Sequence, residues 1–138
     1  MRKMSLDLGD RRIGIALSDL MGIIASGYET YTRCGNAQKD LDYIVSLIKE
    51  KQVDTVVLGL PVNMDGTEGE RALLSREFGE KLKALVDVKV DFLDERLTTV
   101  SAERLLISAD VRREKRKTVI DKIAATIILQ DYLDMHSK

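Results

Sequence analysis

The sequence is poor in the residues that form covalent cross-links or soft-metal sites. Its 138 residues include one cysteine, Cys34, so no internal disulfide can form. This fits a reducing compartment. Cys34 lies beside a Gly35-Asn36 turn with nothing near it that marks a nucleophile, which favours a passive thiol. The one histidine, His136, lies near the C-terminal end, where we expect no catalytic role for it.

Long hydrophobic runs and a net charge of one sign are also lacking. No apolar stretch approaches the ~20 residues of a membrane helix, and Asp7 interrupts the first apolar run too early for a signal peptide. We therefore expect a cytoplasmic protein without a membrane partner. With 22 basic and 23 acidic residues the net charge is −1, so binding to nucleic acid would need a local basic patch. The length suits a single domain, 1–138, as a monomer or a homodimer.

Residues 4–18, MSLDLGDRRIGIALS, predict two strands joined by a tight turn. The alternation of Met4, Leu6 and Leu8 with polar residues is typical of a strand, and a second apolar run follows a short turn that contains glycine. Asp7 is unusual, since aspartate is a poor strand former and burying its charge without a partner is unfavourable by several kcal/mol. Asp7 is therefore either a strand-end residue bonded to the turn or a metal ligand.

The remaining pattern predicts a third strand with a bulge at Gly27, then helix, strand, helix, strand and two helices. These elements cover residues 23–33, 37–51, 54–58, 67–85, 88–93, 98–106 and 119–135. The first three strands can pair as an antiparallel meander. The later strands, each reached through a helix, should lie parallel to the first. The expected fold class is α/β: a mixed five-stranded sheet flanked by helices.

Several local details follow from the same pattern. Asn36 is expected to cap the first helix. The pair Thr67-x-x-Glu70 is a capping box that should open the second helix, and its expected buried stripe is Leu74, Phe78, Leu82 and Leu85. Residues 59–66 are expected to form a long loop and residues 109–117 a polar linker.

Three carboxylates stand where the pattern expects an apolar or neutral residue. Besides Asp7, Glu95 follows a strand at its carboxyl end, which is where ligand crevices lie in open α/β sheets. Asp121 precedes Ala124, Ala125 and Ile128 on the helix face that should meet the sheet. Each has an ordinary alternative, a surface ion pair for Glu95 and a Thr118-x-x-Asp121 capping box for Asp121.

If the three acids converge, a hard divalent cation would remove their mutual repulsion. Oxygen ligands without a cluster of histidine or cysteine point to Mg²⁺ or Mn²⁺ as the cofactor. Two such ions about 4 Å apart would activate a water and stabilise the leaving oxygen of a phosphodiester.

A local basic patch is present in the sequence. Residues 112–117, RREKRK, are either a solvated linker or a phosphate-binding segment at the rim of the carboxylate site. Loop 59–66 is long enough to be functional. The candidate nucleic-acid-binding residues are Arg11, Arg12, Asn63, Thr67, Arg96, Arg112, Arg113, Lys115, Arg116 and Lys117.

Four blocks of this sequence resemble the signature blocks of the YqgF-type proteins, in the same order and over nearly the whole chain. They are LDLGDRRIGIALSD, VVLGLPVNMDGTEGE, DERLTTVSAE and VIDKIAATIILQDYL. Members of that family are known as Holliday junction resolvase-like proteins and as nucleases of precursor 16S ribosomal RNA. The resemblance implies a ribonuclease-H-like fold, with the family's acidic residues on Asp7, Glu95 and Asp121.

The activity that the resemblance implies is Mg²⁺-dependent hydrolysis of phosphodiesters, with maturation of the 5′ end of precursor 16S rRNA as the cellular role. Resolvases carry an acid at the end of the fourth strand, where this chain has Gly59-Leu60-Pro61, and paired acids in the last helix, where it has one. The alternatives are a Holliday junction resolvase acting on branched DNA, an RNA-binding ribosome-assembly factor without catalysis, and an ATP-using domain of the actin or sugar-kinase type.

Overall fold

The computed structural model describes residues 1–62, 65–94 and 113–136, with the backbone alone described over 113–121. Five strands form one sheet in the order β3-β2-β1-β4-β5. They are β1 (Arg2–Leu8), β2 (Arg12–Ser18), β3 (Ala25–Thr32), β4 (Val53–Leu60) and β5 (Lys89–Asp94). Strands β1 to β3 pair antiparallel, and β4 and β5 lie parallel to β1. The predicted mixed sheet is confirmed.

Three helices are described: α1 (Ala37–Glu50), α2 (Glu70–Leu85) and α3 (Arg113–Met135). The Asn36 side chain accepts hydrogen bonds from the backbone N–H groups of Gln38 and Lys39, so the predicted cap of α1 is confirmed. The helix predicted over 98–106 lies outside the described residues. Among the described helices, none combines the length and the apolarity needed to cross a bilayer.

The sheet buries apolar side chains on both faces, which is typical of parallel strands covered by helices. One face packs against α1 and α2 and contains Met4, Leu6, Ile15 and Leu58. The other packs against α3 and contains Ala16, Val57, Ala125, Ile128 and Leu129. Because side chains alternate along a strand, β1 sends Met4 and Leu6 to the first face and Ser5 and Asp7 to the second.

The capping box predicted at Thr67 is wrong. Helix α2 begins at Glu70 with Gly69 as its N-cap, and no side chain caps it. The Thr67 hydroxyl and backbone N–H instead donate to Asp65, at 2.6 and 3.0 Å. Such short-range bonds of a threonine compete with helix capping.

The predicted buried stripe of α2 is wrong in two of its four residues. Leu74 and Leu85 are exposed, whereas Phe78 and Leu82 are buried. The buried face consists of Ala72, Ser75, Phe78, Gly79 and Leu82. Small residues on this face let the helix lie close to the sheet, because a Cβ at Gly79 would come within 2.8 Å of the Leu58 side chain.

Two boundaries also differ from the predictions. Strand β4 continues through Gly59 and Leu60, which were expected to be loop, because both pair with β5. Helix α3 begins at Arg113, so residues 113–117 are helical and do not form part of a linker. It follows that Thr118 lies inside α3 and is not its N-cap. The bulge expected at Gly27 is confirmed beside it, since Glu29 and Gly27 pair with the consecutive residues Ile15 and Ala16.

Candidate functional site

Asp7 lies half-buried near the carboxyl end of β1, opposite Gly14 in β2. It shares a sheet face with Ser5, two residues before it. The Ser5 hydroxyl donates a hydrogen bond to the backbone carbonyl of Ala125 in α3. Gly14 is buried and places no side chain beside Asp7. Asp7 is therefore placed on the face that α3 covers, at the edge where β1 ends.

Helix α3 runs antiparallel to β1 across this face. A Cβ on Gly27 would lie 3.2 Å from the Thr126 hydroxyl, and further along the helix the Gln130 side chain accepts from the backbone N–H of Ala25. Since β3 runs in the direction of β1, the first turns of α3 lie toward the edge that carries Asp7. Position 121 is one helical turn before Ala125, on the side of Asp7.

The turn between β1 and β2 brings two predicted phosphate ligands close to Asp7. Residues 9–11 join the strands, and the Gly9 N–H donates to the Arg12 carbonyl at 2.8 Å. A Cβ on Gly9 would lie 2.9 Å from that carbonyl oxygen, so this turn requires glycine. Arg11 is exposed in the turn and Arg12 is half-buried at the start of β2. Arg11 and Arg12 thus lie four and five residues after Asp7, at the same end of the β1–β2 hairpin.

Thr67 lies in the connection that leaves the carboxyl end of β4, and its side chain is already bonded. Its hydroxyl donates to Asp65 and, with the backbone N–H of Thr67, holds the pKa of that carboxyl below its usual range. While this contact lasts, the Thr67 hydroxyl cannot donate a hydrogen bond to a phosphate.

The other predicted site residues lie where side chains are not described. Arg113, Lys115, Arg116, Lys117 and Asp121 belong to the first turns of α3, of which the backbone alone is described. Outside the described residues lie Asn63, Glu95, Arg96 and Arg112.

The carboxylate of Asp7 fits one oxygen ligand of a hard divalent cation, since Mg²⁺ and Mn²⁺ prefer carboxylate oxygens. Across the part of the chain whose side chains are described, no group of three acidic, histidine or cysteine side chains is placed to hold a metal. Glu95 and Asp121, the other two sequence candidates, lie beyond those described side chains.

A buried ion pair behind the turn was not predicted from the sequence. Asp40 in α1 is 1% exposed and accepts from Arg33 Nε at 2.9 Å and from the Tyr31 hydroxyl at 3.0 Å. Burial and the Asp40 charge raise the pKa of Tyr31 to about 12, so Tyr31 stays a hydrogen-bond donor at neutral pH. The signal available in the sequence was an acid directly before Leu41 on the apolar face of a predicted helix.

The family model for "RuvX: Holliday junction resolvase" matches residues 1–135 of this chain. The chain belongs to the RuvX family. The resemblance inferred from the four sequence blocks is thereby confirmed.

Curated relatives of this RuvX-family chain carry a nuclease name. A protein of Halalkalibacterium halodurans is 53% identical over 135 residues, covering 97% of this chain and 96% of the relative. A protein of Syntrophomonas wolfei is 54% identical over 134 residues, covering 97% and 94%. Both are named "Putative pre-16S rRNA nuclease". The prediction that the chain is an enzyme of the nuclease class is confirmed at this level.

Solved structures of nucleases share the fold. Thermus thermophilus RuvC in complex with a Holliday junction substrate superposes with a TM-score of 0.64 at 10% identity, covering 98% of this chain and 96% of RuvC. The human cytomegalovirus terminase nuclease domain gives a TM-score of 0.55 at 13% identity, covering 97% and 84%. At such identities these similarities show the fold alone, and they confirm the predicted ribonuclease-H-like class.

Proposed function

We propose that this RuvX-family protein is a divalent-metal-dependent endonuclease that hydrolyses phosphodiesters in structured nucleic acid. Its proposed cellular role is maturation of the 5′ end of precursor 16S rRNA. Asp7, Glu95 and Asp121 are the proposed metal-holding and catalytic residues, with Mg²⁺ or Mn²⁺ as the cofactor.

The observation that carries this proposal is the position of Asp7. A half-buried carboxylate near the end of β1 faces the helix that contains position 121, and that helix runs antiparallel to β1. Strand β5 ends at Asp94, directly before Glu95, and lies parallel to β4 and hence to β1. The carboxyl ends of parallel strands meet at one edge of a sheet. The three acids are therefore expected at the same edge.

In the proposed reaction the chain's residues hold and orient the substrate. A bound Mg²⁺ or Mn²⁺ would supply the positive charge that activates water and stabilises the leaving oxygen. Asp7, Glu95 and Asp121 would hold that charge in place, while Arg11 and Arg12 bind phosphates beside it. Further phosphate contacts are proposed for Asn63, Thr67, Arg96, Arg112, Arg113, Lys115, Arg116 and Lys117.

The proposed RNA substrate rests on relatives that are 53–54% identical to this chain and are named "Putative pre-16S rRNA nuclease". The second candidate is cleavage of branched DNA, which the family description and the RuvC complex favour. RuvC, however, shares only the fold at 10% identity. Precursor rRNA is therefore the first substrate to test and a four-way DNA junction the second.

The test compares wild type with Asp7→Asn, which keeps the side-chain shape but removes the charge. Asp87→Asn is the matched control, because Asp87 is exposed in the connection before β5. Each protein is incubated with precursor 16S rRNA and with a four-way DNA junction, with Mg²⁺, with Mn²⁺ and with a chelator. We expect cleavage of the RNA by wild type and Asp87→Asn in the presence of metal, and a loss of at least about 100-fold in Asp7→Asn, since one transition-state interaction of about 3 kcal/mol is removed.

Full cleavage by pure Asp7→Asn would reject the assignment of Asp7. Cleavage of the DNA junction alone would replace the RNA substrate by branched DNA. Metal-independent binding of the precursor without cleavage by any variant would support an assembly factor in place of an enzyme acting on that RNA.

A further inference from the structure

A cleft of about 280 Å³ opens beside the β1–β2 turn, on the side of helix α2. Its lining consists of Gly9, Asp10, Arg11, Arg12 and Arg71, and we call it the turn cleft. Arg71 is exposed in the first turn of α2. It lies 62 residues after Gly9 in the sequence. The turn cleft adjoins a smaller cavity of about 120 Å³ that shares Gly9, Asp10 and Arg71. The tertiary fold therefore adds a third arginine to the two in the turn.

The turn cleft is electropositive. Three arginines and one carboxylate, Asp10, line it, so its lining residues carry a net formal charge of +2. Among the residues whose side chains are described, no carboxylate forms an ion pair with Arg11 or Arg71. The planar fork of a guanidinium group matches two oxygens of a phosphate. These two arginines are thus available for an anionic ligand.

Arg33 fixes the turn from behind. Its backbone N–H donates to the Arg11 carbonyl at 2.8 Å, and its Nη1 donates to the Gly9 carbonyl at 2.9 Å. Its Nε is held at 2.9 Å by Asp40, which is 1% exposed. A ligand that binds a turn already held in this way loses less conformational freedom on binding.

We propose that Arg71 and Arg11 bind the phosphodiester backbone of the substrate in the turn cleft, and that the Arg33–Asp40 pair positions the turn for this contact. This inference rests on the proposed nuclease function. Gly9 is two residues beyond Asp7, about 7 Å along an extended strand. The phosphates of each strand of a duplex are spaced by about 3.4 Å along the helix axis. The turn cleft therefore holds a phosphate a few nucleotides from the one at Asp7, and it anchors the substrate without reading its sequence.

The first experiment measures binding in a chelator, so that no cleavage occurs. Arg71→Ala is compared with wild type and with Lys83→Ala, which removes one exposed positive charge from the same helix away from the turn cleft. The probes are a 20-base-pair DNA duplex and an RNA duplex of the same sequence, titrated at several salt concentrations. We expect Arg71→Ala to weaken binding to both probes by a similar factor and to lower the salt slope on DNA by about 1.

Lys83→Ala should bind as wild type does. The proposal is overturned if Arg71→Ala binds both probes with wild-type affinity and slope, or if Lys83→Ala weakens binding equally. A loss confined to one probe would overturn the assignment to the phosphate backbone, since that contact is common to RNA and DNA. The binding result does not depend on catalysis. The cleavage assay on Asp7→Asn can reject the proposed nuclease function while the binding result still supports Arg71. In the same way, the binding result can reject Arg71 while the cleavage assay supports the nuclease function.

The role of Arg33 is tested with Arg33→Lys, which keeps a charge beside Asp40 but cannot also reach the Gly9 carbonyl with a second fork arm. If Arg33 positions the turn, Arg33→Lys weakens binding in the otherwise wild-type protein and has little further effect in the Arg11→Ala background, because the turn that Arg33 holds carries Arg11. A purely structural role predicts a lower melting temperature with unchanged binding, and that result would overturn the positioning role while leaving Arg71 in place.

Discussion

The Ser5 hydroxyl donates a hydrogen bond of 2.5 Å to the backbone carbonyl of Ala125, across 120 residues of sequence. Both residues are fully buried. Ala16 lies opposite Ser5 in β2 and is also fully buried, so two small side chains and one hydroxyl form the contact between the hairpin and α3. This contact fixes how α3, and with it position 121, lies along β1 and therefore relative to Asp7.

Replacing Ser5 by alanine should lower the free energy of unfolding by about 1 kcal/mol, which is the usual net value of one such hydrogen bond. The Ala125 carbonyl lies within helix α3, so it keeps its hydrogen-bond partner in the helix when the Ser5 hydroxyl is removed. Ser46→Ala is the matched control, because the Ser46 hydroxyl makes a similar bond to the Tyr43 carbonyl on the exposed side of α1. Chemical denaturation measures both. Equal losses in the two variants would contradict the importance of the buried contact.

Gly27 lies where β3 closely approaches α3. A Cβ there would lie 3.2 Å from the Thr126 hydroxyl and 3.5 Å from the Lys122 Cβ. Gly27→Val should therefore push α3 away from the sheet and destabilise the fold by about 1–3 kcal/mol, the usual range for overpacking. Thermal denaturation and the cleavage assay together measure this, and we expect cleavage to fall because α3 carries Asp121.

Ser26→Val is the control for that variant, since Ser26 is the preceding, exposed residue of the same strand and its side chain points to the other face. It introduces the same valine, a good strand former. We expect wild-type stability and cleavage. If Ser26→Val and Gly27→Val behave alike, the close approach of α3 is not the cause.

Tyr132 anchors the other end of α3 to β5. It is 6% exposed, and its hydroxyl donates to Asp91 at 2.5 Å. This hydrogen bond, with the charge of Lys89, lowers the pKa of Asp91, whereas burial raises the pKa of Tyr132 and keeps it a donor. Because the side chain of Asp91 is 34% exposed, we expect Tyr132→Phe to lower stability at pH 7 by only about 1 kcal/mol.

The pH dependence follows from the direction of the Asp91 shift. A carboxyl whose pKa is lowered on folding stabilises the native state above its unfolded pKa, near 3.8, and loses that contribution as pH falls through the folded pKa. The difference in stability between wild type and Tyr132→Phe should therefore shrink between pH 5 and pH 2.5. A difference that stays constant over that range in urea denaturation would contradict the link to Asp91.

Local patterns predicted the strands and their pairing well. The alternation in residues 4–18 predicted the hairpin, Asn36 predicted the start of α1, and strands reached through helices predicted the parallel pairs of β4 and β5. These features depend on side-chain period, a cap bond two or three residues away, and the handedness of crossovers. The side-chain period and the cap bond act over a few residues, and the handedness of crossovers is the same in nearly all proteins.

The errors occurred where a neighbour in space decided the outcome. Leu74 was expected in the core because it is large and apolar, but α2 turns its small residues Gly79 and Ser75 to the sheet, where close approach is possible. Thr67 was expected to cap α2 but is bonded to Asp65. In both cases the local pattern was compatible with two arrangements, and packing or a nearby acceptor selected one.

The sequence alone determined that this chain forms a mixed sheet with a carboxylate, Asp7, near the end of its first strand, because strand period and turn chemistry are local. It also carried the four blocks that indicated the family. Only the tertiary structure decided that Arg71 joins Arg11 at the turn, that Arg33 and Asp40 hold that turn, and that α3 lies antiparallel to β1. These relationships join residues far apart in sequence, and they form only when packing of both faces of the sheet fixes the distances between them.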